Sequence, residues 1–265
     1  PSNTWLMPMR VTSKGRMPSE RSAASRTAAS NNGASLTDDS VPSVTQDRAI
    51  STTSASVAEA SRSAALADSP TMVFDFFSTP VSRAVLPRIM QDGNILVQPL
   101  VGRGDAVDGE VFKQVFPLAP TYWGQAANII SYFKKQGGGS LKGKKVAFLY
   151  LDTPFGREPT PVFEALKRLE SFEYQAFPFP VPGNDQSAAF TQIRRFQPDW
   201  LILWSFSPLN PITFREMQRN GIPIDRMVTV NWINEVDINN FGAAAAKGLK
   251  RSTVVVGGAE HPLVK

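Results

Sequence analysis

The segment KKVAFLYLDTPFG, residues 144–156, decides the fold class of this chain. Two lysines lead into an apolar run at 146–151, which stops at Asp152 and a loop. A short apolar run bounded by turn residues is typical of a buried strand. A helical pattern follows this loop directly, with Pro159 and Pro161 in its first turn, where proline is tolerated. The predicted buried face of this helix is Val162, Phe163, Leu166 and Leu169.

The same order of elements repeats along the chain. Residues 172–179 predict a second strand, Asn184 and Asp185 can cap a helix, and residues 199–204 predict a third strand. Strands that alternate with helices of about three turns form parallel sheets, whose ligand loops lie at the carboxyl ends of the strands. We therefore expect an α/β fold with parallel sheets. The loops expected to carry function are 152–157, 205–210 and 231–235.

Upstream of this region, caps and apolar periods predict further elements. The segment Ser78-Thr79-Pro80 predicts an N-cap with proline at the first helical position, after a strand at 72–77, and a further strand is predicted at 111–116. Pro117 and Pro120 mark the expected crossing between two lobes. The next helix has Thr121 as its predicted cap and Trp123, Ala126, Ala127, Ile130 and Phe133 as its predicted buried face.

Composition excludes several classes of function. The 265 residues carry a net charge of +5, but only 19% of them are charged, so we expect no dense basic face and no nucleic-acid partner. The absence of cysteine excludes disulfides and thiolate chemistry, and the single histidine, His261, cannot form a triad or a histidine metal site. We expect no metal, no cofactor and no catalytic residue. No apolar run approaches the roughly 20 residues of a membrane span.

The first 70 residues differ from the rest of the chain. They are rich in Ser, Ala, Thr and Arg, and Trp5 is their only aromatic residue. Such a segment cannot bury enough apolar surface to offset its ordering entropy, which favours a disordered tail. The alternative is an out-of-frame translation or a gene-model error. Translation of the nucleotide sequence in all frames would distinguish the two.

Three segments resemble a known family. They are LKGKKVAFLYLDTPFGREP at 141–159, PGNDQSAAFTQIRRFQPDWLILWSF at 182–206 and DGEVFKQVFPLAPTYWGQAANII at 108–130. Together they resemble the substrate-binding proteins of branched-chain amino-acid ABC importers, the leucine-binding-protein-like type I periplasmic binding proteins. The resemblance covers residues 71–265 and consists of many short matches in order, since no single motif is diagnostic.

This resemblance implies a two-lobed α/β fold that closes around a ligand by hinge motion. The expected division is a disordered or non-native segment at 1–70, a partial first lobe at 71–120, a second lobe at 121–248 and the start of the return to the first lobe at 249–265. The first lobe is expected to be incomplete, because its returning strands and helices do not follow. Members of the family are exported, but residues 1–16 show no apolar stretch of an export signal.

The resemblance also implies ligand-binding residues in the first lobe. Ser78 and Thr79 match a helix start that binds the ligand carboxylate, and free N–H groups and the helix dipole favour an anion there. The alternative is that Thr79 only caps its own helix. The second backbone loop of the family falls on Val101, Gly102 and Arg103.

In the second lobe, the aromatic contacts of the family fall on Phe155 and Phe206. The acidic partner of the ligand amine falls near Trp232, with Glu235 three residues further on. The tyrosines of the best-known members are phenylalanines here, and the aligned amine-binding position is not a carboxylate. A phenylalanine offers apolar area and a cation-attracting face but no hydroxyl. This departure leaves room for amides, aromatic acids or other small organic molecules.

We therefore predict a solute-binding protein of an ABC importer, with a small-molecule ligand and a membrane permease as partners, located in the periplasm or outside the cell. One alternative is a small-molecule sensor domain of the same fold, which a fused output domain would indicate. The other is an α/β enzyme that uses Asp152, Glu158 or Asp185. Paired carboxylates at strand ends would indicate an enzyme, whereas Asp152 is alone in its loop.

Overall fold

The computed structural model describes residues 56–57, 59–60, 62–63, 72–74, 76, 78–99 and 101–253, and these contain two parallel β-sheets. The first sheet has the order β1-β2-β3, with strands Met72–Phe74, Ile95–Gln98 and Val115–Pro117. The second has the order β5-β4-β6-β7-β8, with β4 Lys145–Leu151, β5 Glu173–Phe179, β6 Trp200–Trp204, β7 Met227–Thr229 and β8 Lys250–Arg251. Neighbouring strands are parallel in both sheets, which confirms the predicted fold class.

Helices connect these strands. They are α1 Thr79–Gln91, α2 Tyr122–Gln136, α3 Pro154–Arg157, α4 Thr160–Glu170, α5 Ser187–Phe196, α6 Asn210–Arg219 and α7 Glu235–Phe241. Single turns of 3-10 helix occur at Asp105–Val107 and Ile224–Arg226. In the part of the chain described above, no helix is both long and apolar enough to cross a membrane.

Strand β4 is an interior strand of the second sheet. It pairs with β5 on one side and β6 on the other, and alternate side chains enter two separate cores. Val146 and Phe148 pack with residues of α2 and α4, whereas Leu149 packs with residues of α5 and α6. Phe148 and Leu149 are both fully buried, so β4 is covered on both faces, as its continuous apolar run indicates.

The first lobe has one core face. Val73, Leu96 and Val115, one from each strand, pack against α1. The next residue after Val73 and the next after Val115 point to the opposite face of the sheet. These residues are Phe74, which is 68% exposed, and Phe116, which is 48% exposed.

Three predicted details are wrong. The strand expected at 111–116 begins only at Val115, because Asp108 accepts hydrogen bonds from the backbone N–H groups of Glu110 and Val111 and forms a turn instead. Leu169 is 77% exposed, because it lies six positions beyond the buried Phe163, about 240° around α4. On α2, Tyr122 is buried and Trp123 is only half-buried, so the predicted face was displaced by one residue at its start.

The predicted division into lobes stays a prediction. Lys250–Arg251 pairs with Met227–Thr229, so the described beginning of the expected return segment still belongs to the second sheet. Residues 1–55 and 254–265 lie outside the described part of the chain.

Replacing Phe148 with alanine should lower the free energy of unfolding by about 3 to 5 kcal/mol, because the ring is fully buried in the core between β4, α2 and α4. Chemical denaturation followed by circular dichroism measures this. Leu169→Ala is the matched control, since its side chain is 77% exposed and its loss should cost about 0.5 kcal/mol or less. Equal losses for the two variants would contradict this packing.

Candidate ligand-binding site

Tyr122 lies where the chain passes from the first lobe into the second. It is the first residue of α2, and the hydroxyl of Thr121 caps this helix by accepting from the N–H of Gly124 at 2.9 Å. The Tyr122 backbone N–H donates to the carbonyl of Gly102, and the Tyr122 hydroxyl accepts from Nε1 of Trp232 at 3.0 Å. One residue therefore connects a first-lobe loop with a second-lobe loop.

The Tyr122 side chain is buried among aromatic rings. Its ring meets Phe155 edge-on at 5.2 Å between centroids and Trp204 at 5.8 Å. Phe155 in turn lies 6.0 Å from Phe206. Phe155 is 7% exposed, whereas Phe206 is 41% exposed, so Phe155 supports the cluster and Phe206 forms its accessible rim.

Burial raises the pKa of Tyr122 to about 12, although hydrogen bonds with Trp232, the Gly102 backbone and Thr79 oppose the shift. The phenol is therefore neutral at physiological pH and can both donate and accept. The hydrogen bond between Thr79 and Tyr122 places the Thr79 side chain beside the Tyr122 hydroxyl. Thr79 is 4% exposed.

The two residues at the start of α1 have different environments. Ser78 is the N-cap, with its hydroxyl accepting from the N–H of Val81 at 3.5 Å. Thr79 follows as the first residue of the helix, so the cap function considered for Thr79 belongs to Ser78. The Thr79 side chain is therefore not required to cap α1.

The loop after β2 packs directly onto the lobe crossing. A Cβ atom at Gly102 would lie 2.9 Å from the carbonyl oxygen of Pro120, so any larger residue would displace this loop. Val101 and Arg103 are both buried, and Arg103 donates to the Asp105 carboxylate through Nε at 3.0 Å and Nη2 at 2.7 Å. The guanidinium is thereby fixed within its own loop.

Trp232 is positioned by a buried polar network. Nδ2 of Asn210 donates to the Trp232 carbonyl at 2.8 Å and to Oδ2 of Asp237 at 2.9 Å. Asp237 and Asn234 form a capping box at the start of α7. Glu235 is exposed in the first turn of this helix, a position that favours a carboxylate because of the helix dipole.

The structure thus brings Thr79, Gly102, Phe155, Phe206 and Trp232 together around Tyr122. Tyr122 is not among the binding residues predicted from the sequence, although its buried position could have been found. The buried residues of α2 recur at helical spacing from Tyr122, namely Tyr122, Ala126, Ile129, Ile130 and Phe133.

The three carboxylates considered for catalysis each have a structural partner. Asp152 forms an ion pair with Arg157 at 2.6 Å. Asp185 accepts from the hydroxyl and the backbone N–H of Ser187, which lowers its pKa. Glu158 is buried and forms an ion pair with Arg83 at 2.6 Å. Among the described residues, no group of three His, Cys, Asp or Glu side chains could hold a metal ion.

An open groove of about 580 Å³ lies elsewhere in the first lobe. Its lining residues are Arg83, Leu86, Pro87, Met90, Gln91, Arg103 and Phe112. All of them belong to α1 or to the segment after β2, and none of them is a ring of the aromatic cluster at the lobe crossing.

Comparison with known proteins identifies the family. A family model for periplasmic binding proteins matches residues 24–261, and the chain therefore belongs to the periplasmic binding protein family. This confirms the resemblance drawn from the sequence. The match begins inside the N-terminal segment for which two interpretations were left open. A search of curated proteins gave no match.

Solved structures support the same fold. An ABC transporter permease from the Pseudomonas fluorescens group is 32% identical, with 73% of this chain and 47% of that chain covered and a TM-score of 0.68. A branched-chain amino-acid ABC transporter from Thermus thermophilus with bound valine is 16% identical, with coverage of 72% and 49% and a TM-score of 0.60. A leucine-binding protein from Thermotoga maritima is 16% identical, with coverage of 73% and 53% and a TM-score of 0.61. The chain spans about half the length of these structures.

The aromatic cluster predicts unequal effects of two substitutions. Phe155→Ala should lower the free energy of unfolding by about 3 kcal/mol or more, because Phe155 is buried against Tyr122 and Trp204. Phe206→Ala should cost about 1 kcal/mol or less, because its ring is 41% exposed. Urea unfolding curves of the two variants test this, and a larger loss for Phe206→Ala would contradict the assignment of support and rim.

Proposed function

We propose that this chain is the solute-binding protein of an ABC importer and that a small organic molecule binds at the lobe crossing. The observation that carries this proposal is the convergence of both lobes on Tyr122, through Gly102 from the first and Trp232 from the second. A site built from two lobes can close around a ligand by hinge motion. The membership of the family supports this function, which requires no chemical step.

Unpaired polar atoms support a ligand at this place. The Oγ atom of Ser205 and the Oδ1 atom of Asn231 are buried and have no hydrogen-bond partner in the described part of the chain. Ser205 directly follows β6, and Asn231 follows the buried Val230, which comes after β7. Both residues lie at the carboxyl edge of the sheet, where ligands of parallel sheets bind. Because buried polar groups are normally paired, these two atoms are suitable contacts for a polar group of the solute.

The surroundings also limit the class of solute. Phe206 supplies an accessible aromatic face, and Thr79 and Tyr122 supply hydroxyl groups. Such a site suits a molecule with an apolar or aromatic body and one polar end. We infer that the solute is an amino acid, an amide or an aromatic acid. Two neighbouring structures are described as holding valine or as binding leucine, which supports the first of these classes.

The remaining parts of the proposal follow from this function. A membrane permease of the same importer would receive the solute, and the protein would act in the periplasm or outside the cell. Ser78, Val101, Arg103 and Glu235 stay proposed ligand contacts. Ser78 and Glu235 lie at the starts of α1 and α7, and Val101 and Arg103 flank Gly102.

Calorimetric titration of the full chain with L-leucine, L-phenylalanine, leucinamide and benzoate tests the proposal. At a hundredfold excess over Kd, a bound solute should stabilise the chain by about 2.7 kcal/mol in thermal unfolding. Phe206→Ala should weaken binding at least tenfold while the free energy of unfolding stays nearly unchanged. The control is Leu169→Ala, whose side chain is also exposed but lies far from the site in sequence, and it should bind as the wild type does. Binding of none of the four probes, or binding insensitive to Phe206→Ala, would contradict the proposed site.

A further inference from the structure

The carboxylate of Glu158 joins the two lobes. Glu158 lies between α3 and α4 of the second lobe, and its side chain is 1% exposed. Oε2 accepts from Nη2 of Arg83 on α1 at 2.6 Å, and Oε1 accepts from the backbone N–H of Gly104 at 3.0 Å. Both donors belong to the first lobe, 75 and 54 residues away in sequence.

The main chain at Glu158 adds a third contact. Its carbonyl oxygen accepts from Nε1 of Trp123 at 3.0 Å. A Cβ atom at Gly104 would lie 2.2 Å from the Trp123 ring, so the loop can approach only because residue 104 is glycine. Glu158, Gly104 and Trp123 therefore form a closely packed junction between the lobes.

Each partner of Glu158 is adjacent to an element of the proposed site. Arg83 lies four residues after Thr79, on the same side of α1. Gly104 lies two residues after Gly102, and Glu158 itself lies three residues after Phe155. A single carboxylate thus connects three elements that carry proposed ligand contacts.

We propose that Glu158 is a positioning residue, whose carboxylate holds α1 and the loop at 101–105 against the second lobe and so sets the separation of the two halves of the site. The effect on ligand binding rests on the proposed function, whereas the effect on lobe separation does not. The Arg83 side chain is 43% exposed, so in Glu158→Ala water can solvate it, and it also keeps Asp105 at 3.9 Å. The buried N–H of Gly104 would instead lose its acceptor, which is costly for a buried donor.

Distance measurement between spin labels tests the proposal directly, because the chain has no native cysteine. Labels at Arg88→Cys on α1 and Arg168→Cys on α4 occupy exposed positions on opposite lobes. Glu158→Ala should shift or broaden the distance distribution by more than about 2 Å. Glu158→Gln should have a smaller effect, because its amide oxygen can still accept from Gly104. Arg83→Ala should also have a smaller effect, because Gly104 keeps its acceptor.

The matched control is Glu164→Ala, which removes a carboxylate that pairs with Lys167 on the same helix at 3.8 Å. It should leave the distance distribution unchanged. A Glu158→Ala distribution equal to this control would overturn the proposal. If Glu158→Ala does not fold, as judged by circular dichroism, unchanged distances in both Glu158→Gln and Arg83→Ala would overturn it instead.

The same samples separate this proposal from the proposed function. The distances are measured first without solute and then with L-leucine or benzoate. If Glu158→Ala changes the distance between the lobes and the chain binds neither probe, the result supports the positioning role and counts against the proposed function. If the chain binds a probe and Glu158→Ala leaves the distance between the lobes unchanged, the result supports the proposed function and counts against the positioning role.

The charge of Glu158 gives a second readout. Burial raises its pKa above the ordinary value of 4.5, although the Gly104 N–H and Arg83 oppose the shift. The charged groups that act on it are Arg83, Arg103 and Asp105, and the neutral phenol of Tyr122 also lies nearby. Because the folded-state pKa is raised, the stability contributed by protonated Glu158 is present below pH 4.5 and is lost as pH rises through the raised pKa.

Glu158→Gln cannot titrate at this position. The free energy of unfolding of the wild type, minus that of Glu158→Gln, should therefore decrease as pH rises from about 4 to about 8. Urea unfolding at a series of pH values measures this difference. A difference that does not decrease with pH would contradict the raised pKa of Glu158.

Discussion

The structure depends on the burial of β4 on both faces. Because its even-numbered side chains face one core and its odd-numbered side chains the other, the strand cannot move by one residue without exchanging the two sets. Its register fixes β5 and β6 on either side and the helices that cover them. This register therefore fixes the position of the carboxyl end of β4, where the proposed site begins.

The turn after β4 follows from the same constraint. A Cβ atom at Gly156 would lie 1.8 Å from the carbonyl oxygen of Leu151, so the chain folds back onto the strand as closely as a backbone can. This close return places Phe155 against Tyr122 and Trp204, and it buries Glu158 two residues further on. Packing inside the second lobe thus determines which groups the second lobe presents to the first.

Local chemistry explains which parts of the fold the sequence predicts. Caps and apolar periods act over a few residues, and the strands at 172–179 and 199–204 and the cap at Thr121 agree with the structure. Errors arise where the period is ambiguous, as at the start of α2 and the end of α4. The contacts of Glu158 could not be predicted, because Arg83 is 75 residues away and no local pattern relates the two. Phe155, Phe206 and Trp232 were placed in the site by resemblance to a family, and periodicity gave no such information.

Two kinds of interaction meet at the lobe crossing, and they constrain it differently. Ring contacts such as that of Tyr122 with Phe155 lie within the second lobe, and they orient Tyr122 toward the crossing. The hydrogen bonds of Glu158 are directional and are made from a buried carboxylate, so displacement breaks them at a cost. The aromatic cluster therefore orients Tyr122 within the second lobe, whereas in the proposed positioning role the Glu158 junction sets where the first lobe lies against it.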